Sequence, residues 1–163
     1  MKTVNRICQI LAIVLGIGSV VLFFLRFATI TSSGNDVSLV GAQLGFGSKI
    51  TAAGTEYRMA KSSDILFCFL LTVLSAVFGT LSFKSKKLRY FAPAVGIIDA
   101  VYMLVIALSN PNKFVDARPL PDVTAISYTP FVLFTAIALF AFTASAVAYL
   151  LIDDYIEVKE SNG

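Results

Sequence analysis

The sequence predicts an all-α membrane protein: a four-helix transmembrane bundle with a small extracellular cap built from the first outer loop. Three observations predict it. Four long apolar runs follow one another along the chain, the charges are confined to short segments between them, and one of those segments is strongly basic. The 163 residues are 57% hydrophobic and 14% charged. A soluble domain of this size is about 45–50% apolar and about 25% charged. Mean hydropathy is +0.83. One domain covering 1–163 is expected from this length, since about 20 residues per span leave room for four spans and modest loops.

The first span is placed at about 7–29. Lys2 and Arg6 precede it, as in a signal peptide. Its apolar run exceeds the usual 7–15 residues of such a leader, and no small-residue cleavage site follows. An uncleaved first span is therefore expected. The second span is placed at about 64–84 and the third at about 91–109, the latter interrupted by Asp99. The fourth runs over about 130–152, and Pro130 suits a helix's first turn. Each run is close to the length that crosses about 30 Å of hydrocarbon. Backbone polar groups must be satisfied internally in lipid, so these runs are expected to be helices.

Orientation follows from the inner loop at about 84–90. Lys84, Lys86, Lys87 and Arg89 lie within it, a density that marks the cytoplasmic side. Lys2 and Arg6 place the N-terminus on the same side. Four spans then return the C-terminus there, although Asp153, Asp154, Glu157 and Glu160 make it acidic; acids weigh little in this rule. The reading is a multi-pass plasma-membrane protein with both termini cytoplasmic. The outer loops fall at about 31–63 and 110–129. The stretch from Ser38 to Gly47 is apolar and glycine-rich, which suggests a short β-hairpin or a segment lying along the outer rim. Pro111, Pro119 and Pro121 argue for a stiff, extended second loop.

Asp99 is the residue most out of place in lipid. An ionised carboxylate at that depth costs at least about 2–3 kcal/mol, so it is expected to face the bundle interior. Candidate partners at similar depth are Ser75, Thr143 and Ser145, with Tyr102 one turn along the same face. Two roles fit: a proton- or cation-coupling site, or a hydrogen-bond tie between helices. Arg26, near the outer interface, snorkels to the headgroups, pairs with a loop acid such as Asp64, or reaches Asp99 across a depth mismatch of roughly 10 Å. Snorkelling or the loop acid is favoured.

Other features exclude more than they assign. The chain has no His and no Trp, and no metal cluster or cofactor is expected. Cys8 and Cys68 fall at opposite faces if consecutive spans are antiparallel, so no disulfide is expected. Each behaves as a small apolar residue, with Cys8 a candidate for S-acylation. No C-x-x-C, P-loop, H-E-x-x-H or G-x-S-x-G is present, and no second intramembrane aspartate that an aspartyl protease would need. The net charge of +3 is too small and scattered to suggest nucleic acid. Small residues recur at four-residue spacing, as in Ala12 and Gly16, Ser75 and Gly79, and Ala92, Gly96 and Ala100. They are expected to pack the bundle, or to pair copies through a spare face. The phenylalanines receive no role. Tyr57, Tyr90, Tyr128, Tyr149 and Tyr155 fall near interfaces, as an aromatic belt would.

The basic start, the uncleaved first span and the segment carrying Gly41, Gly45, Phe46 and Gly47 resemble uncharacterised small four-span membrane proteins of Gram-positive bacteria. The long first outer loop is similar to the claudin-like tetraspan layout. The extracellular tryptophan motif and paired loop cysteines of that family are absent, so no site carries over. A bacterial, non-enzymatic membrane protein is expected, acting through its outer loops and bundle faces on a membrane-protein partner or a second copy. The alternative is a small transporter or channel-like protein using Asp99 as its coupling site.

Overall fold

A computed structural model describes residues 2–52, 54–82, 85, 87–118 and 120–161. The chain is mostly helical, with helices α1 (Lys2–Leu22), α2 (Gly41–Phe46), α3 (Ser63–Leu81), α4 (Phe91–Leu108) and α5 (Pro130–Ser161). Strands β1 (Arg26–Ser32), β2 (Asn35–Val40), β3 (Ser48–Ala52), β4 (Thr55–Met59) and β5 (Val123–Tyr128) form two small sheets. The expected all-α class is thus too narrow. Lys2–Leu22, Ser63–Leu81, Leu88–Leu108 and Pro130–Ser161 are long and apolar enough to cross a membrane.

Several boundaries differ from expectation. α1 includes the basic residues from Lys2 onward and stops at Leu22, not near residue 29. Phe27, Ala28 and Ile30 are as apolar as a span, but alternate with threonines in β1 and are buried there. Hydropathy alone does not separate a helix end from a buried strand. The expected end of the second span, Phe83 and Lys84, lies outside the described residues, as do Lys86 of the inner loop and Pro119. The rest of that loop winds into a 3₁₀ turn, Leu88–Tyr90, that leads into α4. α5 continues for several residues beyond the expected boundary at 152, so the acidic tail is helical.

The chain divides into two compact units. The first comprises Met1–Val20, Leu71–Ala100 and Ile137–Gly163. Phe142 is its centre, fully buried in a cluster with Ala12, Ala92 and Ala146. Three glycines on three helices make room for its ring. A Cβ on Gly16 would come within 3.3 Å of it, on Gly79 within 3.0 Å and on Gly96 within 2.7 Å, the last also meeting the Thr143 hydroxyl at 2.7 Å. The small-residue spacing thus serves one aromatic knob, and Phe142 takes a role that composition did not assign. Residues facing away from this core are large and apolar: Ile7, Leu11, Val14, Val77, Ile97, Ile98 and Leu151 are all exposed. Small and polar side chains inside with aliphatic ones outside is the pattern of helices solvated by lipid.

The second unit comprises Val21–Leu70 and Val101–Ala136. Its three-stranded antiparallel sheet has the order β2-β1-β5, and β3 pairs with β4 separately. β1 and β2 are joined through Ser33 and Gly34, with φ of 49° and 76°. Two successive left-handed residues make the turn that matches strand twist in a two-residue hairpin. The hairpin expected within 38–47 is displaced: Ser38–Val40 complete β2, whereas 41–46 form the short helix α2. A Cβ on Gly41 would lie 2.8 Å from the Phe27 ring and 2.9 Å from Phe23, so this close approach admits no side chain. Phe23, Phe27, Phe69, Phe24 and Phe46 continue the contact as a chain of tilted and edge-on rings.

The second loop opens with a 3₁₀ turn, Pro111–Lys113, capped by the Asn110 side chain, rather than with extended chain. Proline is favoured where a helical turn starts, because its missing N–H would have no partner there. The loop then ends in β5, which pairs with β1 from Ala28↔Tyr128 to Ser32↔Val123. Its attachment is reinforced by Ser32 Oγ donating to the Pro121 carbonyl at 2.5 Å and the Thr129 N–H donating to the Phe27 carbonyl at 2.9 Å.

Substitution at the glycines tests the Phe142 socket. Gly96→Ala is expected to destabilise the detergent-solubilised protein by about 1–3 kcal/mol, the range for overpacking a tight core. Gly18→Ala, where an added Cβ meets nothing within 4 Å, is expected to leave stability unchanged or slightly raised. Thermal unfolding followed by circular dichroism compares the two.

Candidate functional site

Three polar constellations stand out from the apolar background. The first surrounds Asp99, which has no exposed surface. Its Oδ2 accepts a hydrogen bond from the Thr72 hydroxyl at 2.7 Å. Asp99 Oδ1 and Ser75 Oγ are buried and have no hydrogen-bond partner among the described residues. The partner on α3 is therefore Thr72, one turn before the expected Ser75. Thr72 and Asp99 lie at nearly equal sequence distances from Leu81 and Phe91, the facing ends of α3 and α4. Counted from the expected span end at about 84 instead, Ser75 falls level with Asp99, so the earlier end of α3 accounts for the difference.

The remaining residues expected near Asp99 are engaged elsewhere. Thr143 Oγ1 donates to the Leu139 carbonyl and Ser145 Oγ to the Ala141 carbonyl, both at 2.8 Å. Such bonds satisfy a hydroxyl within its own helix. The Tyr102 hydroxyl donates to Asp64 at the start of α3, and its ring meets Phe67 edge-on at 5.7 Å. Arg26 opens β1 with an exposed side chain, and its carbonyl accepts from the Thr129 hydroxyl.

A second constellation lies on the strand-bearing unit. Residues of the α3 start and the second loop line a cavity of about 590 Å³ that includes Lys61, Asp64, Lys113, Asp116 and Arg118 over an apolar floor of Leu120 and Ile126. Asp116 and Arg118 form a bidentate pair at 2.7 and 2.9 Å. The guanidinium of Arg118 and its backbone N–H hold the Asp116 carboxyl down at about 2, well below the usual carboxylate range. The Tyr128 hydroxyl, buried near Asp64, is pushed above its ordinary value by burial first and by that carboxylate second.

The third constellation is ionic. Arg89, 4% exposed, extends from the 3₁₀ turn into the acidic end of α5. Nη2 meets Asp154 at 2.6 Å, Nη1 meets Glu157 at 3.3 Å, and Nη1 also contacts Asp153. The guanidinium lies 5.3 Å from the Tyr90 ring centroid. The spacing of 153, 154 and 157 puts all three acids on adjoining helical faces. Asn5 donates to an oxygen of Asp153 at 3.0 Å, and Lys2 pairs with Glu160 at 2.9 Å. In the sequence Arg89 is one of four loop charges, and its acidic partners look like a solvated tail. The i, i+4 acids that follow an apolar span, set against a basic turn, are the signal that could have found the cluster.

Among the described residues no group of three or more His, Cys, Asp or Glu side chains is placed to hold a metal ion. Cys8 and Cys68 are both outside any disulfide, the first half-buried and the second buried. Compared with family models, curated proteins and solved structures, the chain matches none.

Two measurements check these geometries. Thr72→Val removes the donor to a carboxylate that is fully buried, and is expected to cost about 1–3 kcal/mol in unfolding experiments, whereas the exposed Thr124→Val is expected to cost far less. For Asp116, the depressed folded value means that its stabilising charge is present above the ordinary carboxylate range and is lost as pH falls through about 2. Carboxyl NMR titration should place its midpoint there, and Arg118→Gln, which keeps the backbone N–H, should raise it part of the way to the ordinary range.

Proposed function

We propose that this chain is a non-enzymatic, multi-pass plasma-membrane protein with both termini cytoplasmic, whose outer loops dock a membrane-protein partner. The observation that carries this reading is the joining of the two loops. β5, from the loop between α4 and α5, pairs with β1, from the loop between α1 and α3. Two loops separated in sequence thereby make one sheet, whose outermost strands β2 and β5 each pair with one strand among the described residues. Free strand edges are templates for main-chain pairing with a partner segment.

That both termini and the basic turn share one side is supported by the ionic constellation. Arg89 from the basic turn, Lys2 and Asn5 from the chain start and the acidic end of α5 all meet within one unit. An even number of crossings between the termini accounts for that meeting. The apolar outer faces of the helices support a lipid environment.

The transporter alternative is less well supported. Asp99 is sealed from solvent and bonded to a neighbouring helix, as suits a hydrogen-bond tie between helices. An oligomeric state, through either a bundle face or a sheet edge, fits the proposed role equally.

Photo-crosslinking groups introduced at Ser38 of β2 and Ser127 of β5 are expected to capture a membrane protein in native membranes, with groups at lipid-facing Ile98 giving no such adduct. Recovery of only lipid adducts at all three positions rejects the docking reading. Liposomes under a pH gradient supply the second arm. Proton flux that is lost in Asp99→Asn favours transport instead, and absence of flux in the wild-type protein removes that alternative.

A further inference from the structure

The β3–β4 hairpin carries a feature that the docking reading does not use. Lys49 and Arg58 are direct cross-strand partners in antiparallel register. Directly opposed residues project from the same face of a sheet with Cβ atoms about 5 Å apart, and like charges there are destabilising. Glu56, on the same face, meets Lys49 at 3.3 Å, but both side chains are largely exposed, so this pair offsets little. Arg58 and Lys61 have no carboxylate partner among the described residues.

All three cations line one concavity of about 850 Å³, and no acid among the described residues lines it. Its backbone wall is close-fitting. Gly47, at φ +77°, sits so near the other strand's end that a Cβ would lie 3.1 Å from the Met59 carbonyl and 3.4 Å from the Lys61 nitrogen. This contact holds Lys61 beside the hairpin's paired charges. Phe46 forms an apolar rim; it is exposed and edge-on to Phe69 at 5.6 Å. Phe24, also exposed, touches the same Phe69 ring at 6.1 Å.

The geometry points to a binding site for a phosphate-bearing anion, held by Arg58, Lys61 and Lys49 and bordered by Phe46. A guanidinium fork matches two phosphate oxygens, and ammonium groups supply point charge. An anion seated between Lys49 and Arg58 cancels the repulsion between these two opposed cations. The aromatic rim beside the cations suits the headgroup of an anionic phospholipid, with free phosphate sharing the same chemistry. This inference does not rest on the protein-partner reading.

The test uses the full-length protein in nanodiscs of phosphatidylcholine, with and without phosphatidylglycerol, and separately in phosphatidylcholine with inorganic phosphate against chloride at equal ionic strength. Wild type is expected to unfold about 3 °C or more higher with phosphatidylglycerol, by circular dichroism. The double variant Arg58→Gln, Lys61→Gln is expected to lose that shift, and Lys113→Gln, outside the concavity, to keep it. In phosphatidylcholine alone Arg58→Gln should unfold no lower than wild type, because it relieves the opposed charges. A shift with inorganic phosphate only, again lost in the double variant, supports the site with free phosphate as its ligand. The proposal is overturned if wild type responds to neither anion, if the double variant keeps the full shift, or if Lys113→Gln loses it equally.

Discussion

The packing of the first unit turns on one steric fit, the Phe142 ring of α5 set among Gly16, Gly79 and Gly96. In lipid, apolar surface gains nothing by leaving its solvent, so helices associate through close contact rather than through a hydrophobic drive. A ring that touches three neighbouring backbones supplies such contact from one residue. The same fit fixes rotation and height, because an aromatic knob has one socket and a helix turned by one residue would present Thr143 or Ala141 instead. The polar details follow from that placement. Thr72 meets Asp99 where α3 and α4 are already aligned, and Arg89 meets its acids where α5 has been set at a defined height.

The two charged interiors illustrate different physics. Asp99 is bonded by a hydroxyl and enclosed, an arrangement that suits a carboxyl acting as a donor or acceptor between helices. Arg89 keeps its charge at a place where three carboxylates and an aromatic face surround it. Breaking a buried pair by removing one member leaves an uncompensated charge, so such clusters bind segments into register more than they add net stability. Here the segments so bound are the basic turn, the chain start and the last turns of α5.

Much of the helical architecture was legible in one dimension. Run length, the absence of charge from Ile65 to Leu81 and the proline at 130 are local signals, and four helices follow from them. What was not legible depends on neighbours distant in sequence. Phe27-Ala28-Thr29-Ile30 is as apolar as the helix it follows, and only pairing with β2 and β5 makes it a strand. Phe142 resembles every other phenylalanine of the apolar runs until three glycines from other helices are placed around it. The choice of Thr72 over Ser75 as the partner of Asp99 is a matter of one helical turn, below the resolution of counting depth from approximate span ends.

The length of α5 carries a further consequence. Its apolar stretch, from Pro130 to the acids at 153 and 154, rises about 34 Å at 1.5 Å per residue. The ionic collar at one end cannot slide into hydrocarbon, because Arg89 and its three partners would have to move together. Set in a bilayer, a helix with such a stop would have to tilt where the hydrocarbon is thinner than its apolar stretch, and would stand upright where the two lengths match.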